Sequence, residues 1–244
     1  MSTLPLDSRL DASLPRPGIA TLFGSAILEP GRLAQYIRRG GVSMFTPVVL
    51  LALATAAVLA WYYTKLDYAW FGEYLRSTSP IVAKYAGKGS LHLSQAALIG
   101  PAVTTAAIGV FAVWLVTAAY LWLVGKVLRD DTTFRQWLTL SAWSSVPALV
   151  VLPLALVTIA THGDGRIAPD HLDPTTLAAI FDIAPAAAFH AAAAKVGLAG
   201  VWSALVLAIG VHRWTHLGYP RAIAIVAAPQ LALLALTVIP ALVS

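Results

Sequence analysis

Four long stretches of the chain carry no charged residue: Met44–Tyr63, Ala96–Gly125, Trp137–Thr161 and Ala222–Val243. A fifth apolar run, Val196–Val211, extends backwards through the alanine-rich stretch Ala186–Ala194, interrupted by His190 and Lys195. About 20 consecutive apolar residues cross the hydrocarbon of a bilayer as a helix. The runs are unbroken rather than alternating, and far longer than the roughly 10 residues of a barrel strand. Backbone groups in lipid must bond within their own segment, so the runs are helices. The pattern predicts an all-α integral membrane bundle of five transmembrane helices, at 44–63, 97–125, 137–161, 188–211 and 222–243. Pro101, Pro147, Pro153, Pro229 and Pro240 each remove a backbone donor and mark expected kinks.

Ahead of the first run, Met1–Pro17 holds Pro5, Pro15 and Pro17, and residues 1–26 are expected to form a mobile tail. No signal-peptide pattern is present in Met1–Ser43, because the first long apolar run starts too late. Glu29-Pro30 reads as a helix start, with proline at the first helical position. Leu33, Tyr36 and Ile37 then share one face, flanked by Arg32, Arg38 and Arg39. This predicts a short amphipathic N-terminal helix lying on an anionic membrane surface. One membrane domain, 27–243, follows from this reading.

Composition supports the membrane assignment. Hydrophobic residues make up 59% of the 244 and charged residues 11%, against about 25% charged in soluble domains; the mean hydropathy is +0.77. The chain has no cysteine, which removes disulfides, thiolate metal sites and cysteine nucleophiles. A net charge of +5 arises from 16 basic and 11 acidic residues. No aromatic-plus-basic signature of nucleic-acid binding accompanies it. With a cytoplasmic N-terminus, ten basic residues fall on the inner side: Arg9, Arg16, Arg32, Arg38, Arg39, Lys126, Arg129, Arg135, Arg213 and Arg221. Lys65, Arg76, Lys84, Lys88, Arg166 and Lys195 fall outside. The excess favours an inner (cytoplasmic) membrane location with the N-terminus cytoplasmic and the C-terminus external.

Candidate chemistry is sparse. The cores of the runs hold no Asp, Glu, Lys, Arg or His, the groups that intramembrane work usually employs. His190 and Lys195 lie near a helix start and read as interfacial. Hydroxyls such as Thr139, Ser141 and Ser203 read as packing groups. Tyr62, Tyr63, Tyr68, Trp70, Phe71 and Tyr74 suit an aromatic belt at the membrane interface. His162-x-Asp164 and Asp170-His171-x-Asp173 offer imidazole and carboxylate without a strong metal spacing. Asp173-Pro174 reads as a helix N-cap instead. His212 and His216 stand four apart, with no carboxylate beside them. No Gly-x-Ser-x-Gly occurs. No catalytic residue, metal site or cofactor is assigned.

Two segments carry a family resemblance. One runs from Leu128-Arg129-Asp130-Asp131 through Phe134-Arg135-Gln136-Trp137 to Ala142-Trp143-Ser144-Ser145-Val146-Pro147. The other is Leu207-Ala208-Ile209-Gly210-Val211-His212, followed by Arg221-Ala222. They resemble the bacterial branch of the Yip (Ypt-interacting protein) family, with Ala142-Trp143-x-x-x-Pro147 standing where its Gly-Tyr-x-x-x-Pro is usual. Ile99-Gly100-Pro101 sits at the place of the eukaryotic Asp-Leu-x-Gly-Pro, with Ala97 for the aspartate. The resemblance implies a five-span helical membrane domain, and eukaryotic relatives act in vesicle trafficking through small Rab-type GTPases. Its candidate structural or functional residues are Gly100, Pro101, Trp143, Ser144, Ser145, Pro147, Gly210 and Arg221. The expected function is a non-enzymatic membrane scaffold or adaptor, with the lipid bilayer and a membrane or peripheral protein as partners. A transporter or lipid-translocating protein is the alternative. A metal-dependent membrane hydrolase using His162, Asp164, Asp170 and His171 ranks below both.

Overall fold

A computed structural model describes residues 17–78, 82, 84, 95–184, 187 and 189–243. The secondary structure described is helical. The helices are α1 (Ile19–Leu28), α2 (Pro30–Arg39), α3 (Phe45–Lys65), α4 (Tyr68–Thr78), α5 (Gln95–Val127), α6 (Phe134–Ser144), α7 (Ala148–Thr161), α8 (Leu177–Ile180), α9 (His190–Ala193), α10 (Leu198–Thr215) and α11 (Tyr219–Val243), with a 3₁₀ turn at Pro169–His171. Five stretches are long and apolar enough to cross a membrane: α3, α5, the pair α6 and α7, α10, and α11. Their outward faces expose large apolar side chains such as Ile108, Val116, Leu154 and Leu233. Patches of this extent belong against hydrocarbon, not water.

Local sequence sets the ends of these helices. α5 stops in a Schellman-type turn in which Asp130 N–H donates to Gly125 O at 2.9 Å and Arg129 adopts φ +59°. α6 begins four residues later on a capping box, with Thr133 Oγ1 accepting from Gln136 N–H and Gln136 Oε1 accepting from Thr133 N–H. The third span breaks at Ser145–Pro147 and resumes as α7, as expected for Pro147, which has no amide hydrogen to donate. Pro101 and Pro153, by contrast, are carried inside α5 and α7.

α6 packs against α5, α10 and α2; α3 packs against α5 and α7; α11 packs mainly on α10. Two apolar clusters result. The first gathers Leu33, Ile37, Leu121, Trp137, Leu140, Trp143, Val206, Val211 and Trp214 with other residues of α1, α2, α5, α6, α10 and α11. The second gathers Val58, Tyr62, Tyr63, Phe71, Ala155, Ile159 and Ile167 near the opposite end.

The structure differs from the sequence reading at three points. The fourth span starts at Leu198, not 188: α9 ends at Ala193, and a turn through Ala194–Gly197 separates it from α10. His190 is drawn out of the apolar register by polar partners described below. Residues 1–16 of the expected tail lie outside the described residues, while Ile19–Leu28 forms a helix that buries Leu22 and Ala26. α2 starts at Pro30 as expected, but its apolar face is not turned to lipid. Leu33, Ala34 and Ile37 are buried at 0–2% exposure against the bundle, because α10 and α6 offer that face a protein partner.

Candidate functional site

At the end of the bundle shared by α1, α2 and the α5–α6 turn, tryptophans organise the packing. Trp143 is fully buried; its Nε1–H donates to Ser43 O at 3.0 Å, and Phe23 meets its ring edge-on at 5.3 Å. Trp137 and Trp214 form a T-shaped pair with centroids 4.5 Å apart, a favoured aromatic geometry. Trp214 Nε1–H donates to Ala34 O at 3.2 Å, and its own carbonyl accepts from Arg38 at 3.3 Å. Arg38 also faces the buried carboxylate of Asp130 at 3.6 Å, and Gln136 donates to Arg38 O at 2.9 Å. The α1–α2 arm is thereby tied to α6, α10 and the α5–α6 turn.

Of the residues that carry the family resemblance, Trp143, Ser144, Ser145, Pro147 and Gly210 lie on α6, at the break after it, or on α10. Ser145 Oγ accepts from Trp114 Nε1–H at 2.6 Å, linking the second and third spans at the break before Pro147. Ser144 and Ser145 hydroxyls both donate to Ser141 O, at 2.8 and 3.4 Å. Gly210 faces Leu140: a Cβ there would lie 2.3 Å from Leu140 Cδ2, so any side chain at this position would have to displace the buried Leu140 from between α10 and α6. Gly100, Pro101 and Arg221 stand apart from this centre. Gly100 and Pro101 are exposed on α5, and Arg221 is exposed in the first turn of α11.

The opposite end is held by polar side chains on loops. Tyr62 donates to Ile167 O at 2.7 Å and Tyr68 to Tyr63 O. Asp67 accepts from Trp70 N–H and Ala69 N–H and pairs with Arg166 at 3.1 Å. The Trp70 amide first, and Arg166 after it, hold the Asp67 carboxyl below its usual range. Gly165 takes φ +66°, and a Cβ would strike Lys65 O at 2.1 Å, so this loop crossing requires glycine.

The four loop residues of the hydrolase alternative do not meet. His162 Nδ1 bonds Thr158 O in its own helix turn, Asp164 accepts from Arg166 N–H, and His171 is exposed. Among the described residues, no three His, Asp or Glu side chains are grouped to hold a metal. Asp170 turns instead to His190. His190 Nε2 lies 2.7 Å from Asp170 Oδ2, His190 Nδ1 lies 2.7 Å from Ile183 O, and Tyr74 donates to Asp170 Oδ1 at 3.3 Å. Burial opposes ionisation of Asp170, but the bond from His190, a backbone bond and the nearby His171 and His190 together outweigh it and the carboxyl is held low; the bond to Asp170 raises the His190 imidazole despite burial. Tyr74 is pushed up to about 12 by burial and by the Asp170 charge. Asp170 and His190 are each visible as polar residues in the sequence, but the members of this set lie 96 and 20 residues apart, beyond any local spacing that would join them. Asp173 accepts from Thr175 N–H in a tight turn, while Thr176 caps α8. His212 donates from Nδ1 to Leu217 O and stacks on Tyr219, away from any pairing with His216, which ends α10 in the left-handed conformation.

The Yip1 domain family model matches residues 24–240 of the chain. The protein belongs to the Yip1 domain family. That match covers the second half of α1, all of α2 and the spans as far as residue 240, so the docked α2 is part of the Yip1 domain itself. No curated protein and no solved structure matches the chain.

Proposed function

We propose that this Yip1 domain protein is a non-enzymatic scaffold of the inner membrane, with the arm at the cytoplasmic side and the α4 and 162–197 loops outside. One observation carries the reading. Several polar side chains of the spans are spent on holding the bundle together. Thr139, Ser144, Thr158 and Ser203 donate to carbonyls of their own helices, and Ser145 and Tyr120 bond to neighbouring helices. Such bonds stiffen a bundle. The cores of the spans carry no charged residue to line a path. The arm adds a protein-lined, basic rim carrying Arg32, Arg39, Arg129, Arg135 and Arg213, which suits contact with anionic headgroups and with a peripheral partner.

Two experiments test this. Purified protein in liposomes is expected to give no flux of ions, small solutes or lipids above empty vesicles, and photo-crosslinkers at exposed rim positions are expected to capture a defined protein partner. Reproducible flux would replace the scaffold by the transporter reading. For orientation, the cysteine-free chain accepts single cysteines at Asp131 and Gly163. A membrane-impermeant thiol reagent applied to intact cells should label only Gly163→Cys; labelling of Asp131→Cys alone would invert the topology.

A further inference from the structure

We propose that His190 and Asp170 form a proton-binding latch, which fastens the 3₁₀ turn at Pro169–His171 to α9 across the 162–197 loop region when it holds its proton and releases the two when the proton is lost. Geometry carries the inference. Ile183 O can only accept, so His190 Nδ1, 2.7 Å away, carries a hydrogen. The other ring nitrogen, Nε2, lies 2.7 Å from Asp170 Oδ2. A contact that short needs a hydrogen between the two atoms. Either the ring is an imidazolium facing a carboxylate, or a neutral ring faces a carboxylic acid. Both arrangements contain one proton more than a neutral imidazole beside a carboxylate. Without that proton the ring keeps only one N–H for two acceptors, so a nitrogen lone pair would point at either Asp170 Oδ2 or Ile183 O, and one of the two contacts that hold α9 in place would turn from attraction to repulsion.

The surroundings make His190 the controlling group. Its residue exposure is 7%, and both ring nitrogens are engaged. The groups facing the pair are few. Tyr74, on α4, donates to Asp170 Oδ1 and stays protonated through neutral pH. Tyr62, on α3, feels the Asp170 charge while donating to Ile167 O. His171 adjoins Asp170 in the 3₁₀ turn. α8 and α11, the helices packed on α9, bring no ionisable side chain beyond Tyr219 and Arg221 at the far end of α11. The latch therefore joins three elements with little competing charge: α4 through Tyr74, the 3₁₀ turn through Asp170, and α9 through His190.

Sign follows from linkage. The raised His190 value contributes stability that is complete below its unfolded value of 6.5 and is lost as pH rises through the folded value. The lowered Asp170 value contributes stability present above 3.8 and lost as pH falls through the folded value. The latch is closed between these limits and opens on the alkaline side.

Hydrogen exchange on the full chain in lipid nanodiscs, from pH 5.5 to 8.5, tests this. Rates are first corrected for the intrinsic pH dependence of exchange, then referenced to α6. Corrected opening of 166–197 should rise above the His190 pKa, approaching ~10-fold per pH unit for one proton lost. In His190→Gln the corrected ratio should be flat. A flat profile in the unaltered chain, or the same rise in the glutamine variant, would overturn the proposal. Nitrogen NMR of labelled histidines in the unaltered chain guards against a variant that fails to fold. His190 should keep both ring protons to a higher pH than exposed His162 and His171; loss at the same pH or lower would also overturn it.

Discussion

Gly210 and Leu140 show how narrow the tolerance of the packed end is. With Leu140 Cδ2 where a Cβ would lie, Gly210→Val should force α10 away from α6 and cost about 1–3 kcal/mol, read as a lowered melting temperature in nanodiscs. Arg38 is a different kind of contact. Its guanidinium is partly exposed, yet it faces the nearly enclosed Asp130 carboxylate and bonds Trp214 O. Arg38→Met should keep the packing of the side-chain stem but strand that carboxylate, costing about 2 kcal/mol. A variant as stable as the parent at neutral pH would show the pair to be dispensable. Both contacts lie beyond the reach of the linear sequence. The motifs of the family resemblance contain both Gly210 and Asp130, but a motif carries no record of the partner that either one meets across the fold.

Helix boundaries follow local chemistry, and here the sequence was most informative where that chemistry is local. Pro30 at a helix start, the Thr133–Gln136 box and the break at Pro147 are each set by residues within four positions. Removing the box hydroxyl with Thr133→Ala should cost about 1 kcal/mol, measurable by chemical denaturation in detergent. The fourth span was misjudged because hydropathy cannot see that His190 has a carboxylate waiting 20 residues earlier. α11 poses a different question. Gln230 stands midway along it, exposed, with no hydrogen bond to any described residue. Hydrocarbon offers an amide nothing, and a bare polar group costs about 1–3 kcal/mol on protein scales. Gln230→Leu should therefore raise stability by about 1 kcal/mol in a one-component lipid nanodisc. A fall would mean that the amide has found a partner across the α11 surface.

Across the whole molecule, run lengths disclosed the five crossings because the demand that lipid makes on a backbone is general and long-ranged along the chain. They did not disclose where the amphipathic arm would settle, since an apolar stripe fits a membrane surface and a protein groove equally well. Only the presence of Trp137, Trp143 and Trp214 at one end decides between them. Deleting residues 1–39 should uncover that tryptophan cluster, lower the melting temperature by several degrees and shift emission to the red; unchanged emission would place the arm elsewhere. The seating of the arm also sets an order of events during biogenesis. Arg38 leaves the ribosome 176 residues before Trp214, the group its side chain grips. At roughly 5–20 residues per second, that is a delay of about 10–35 s. The segment made first thus waits, unseated, through four insertions, and the cytoplasmic end closes as one of the last acts of assembly.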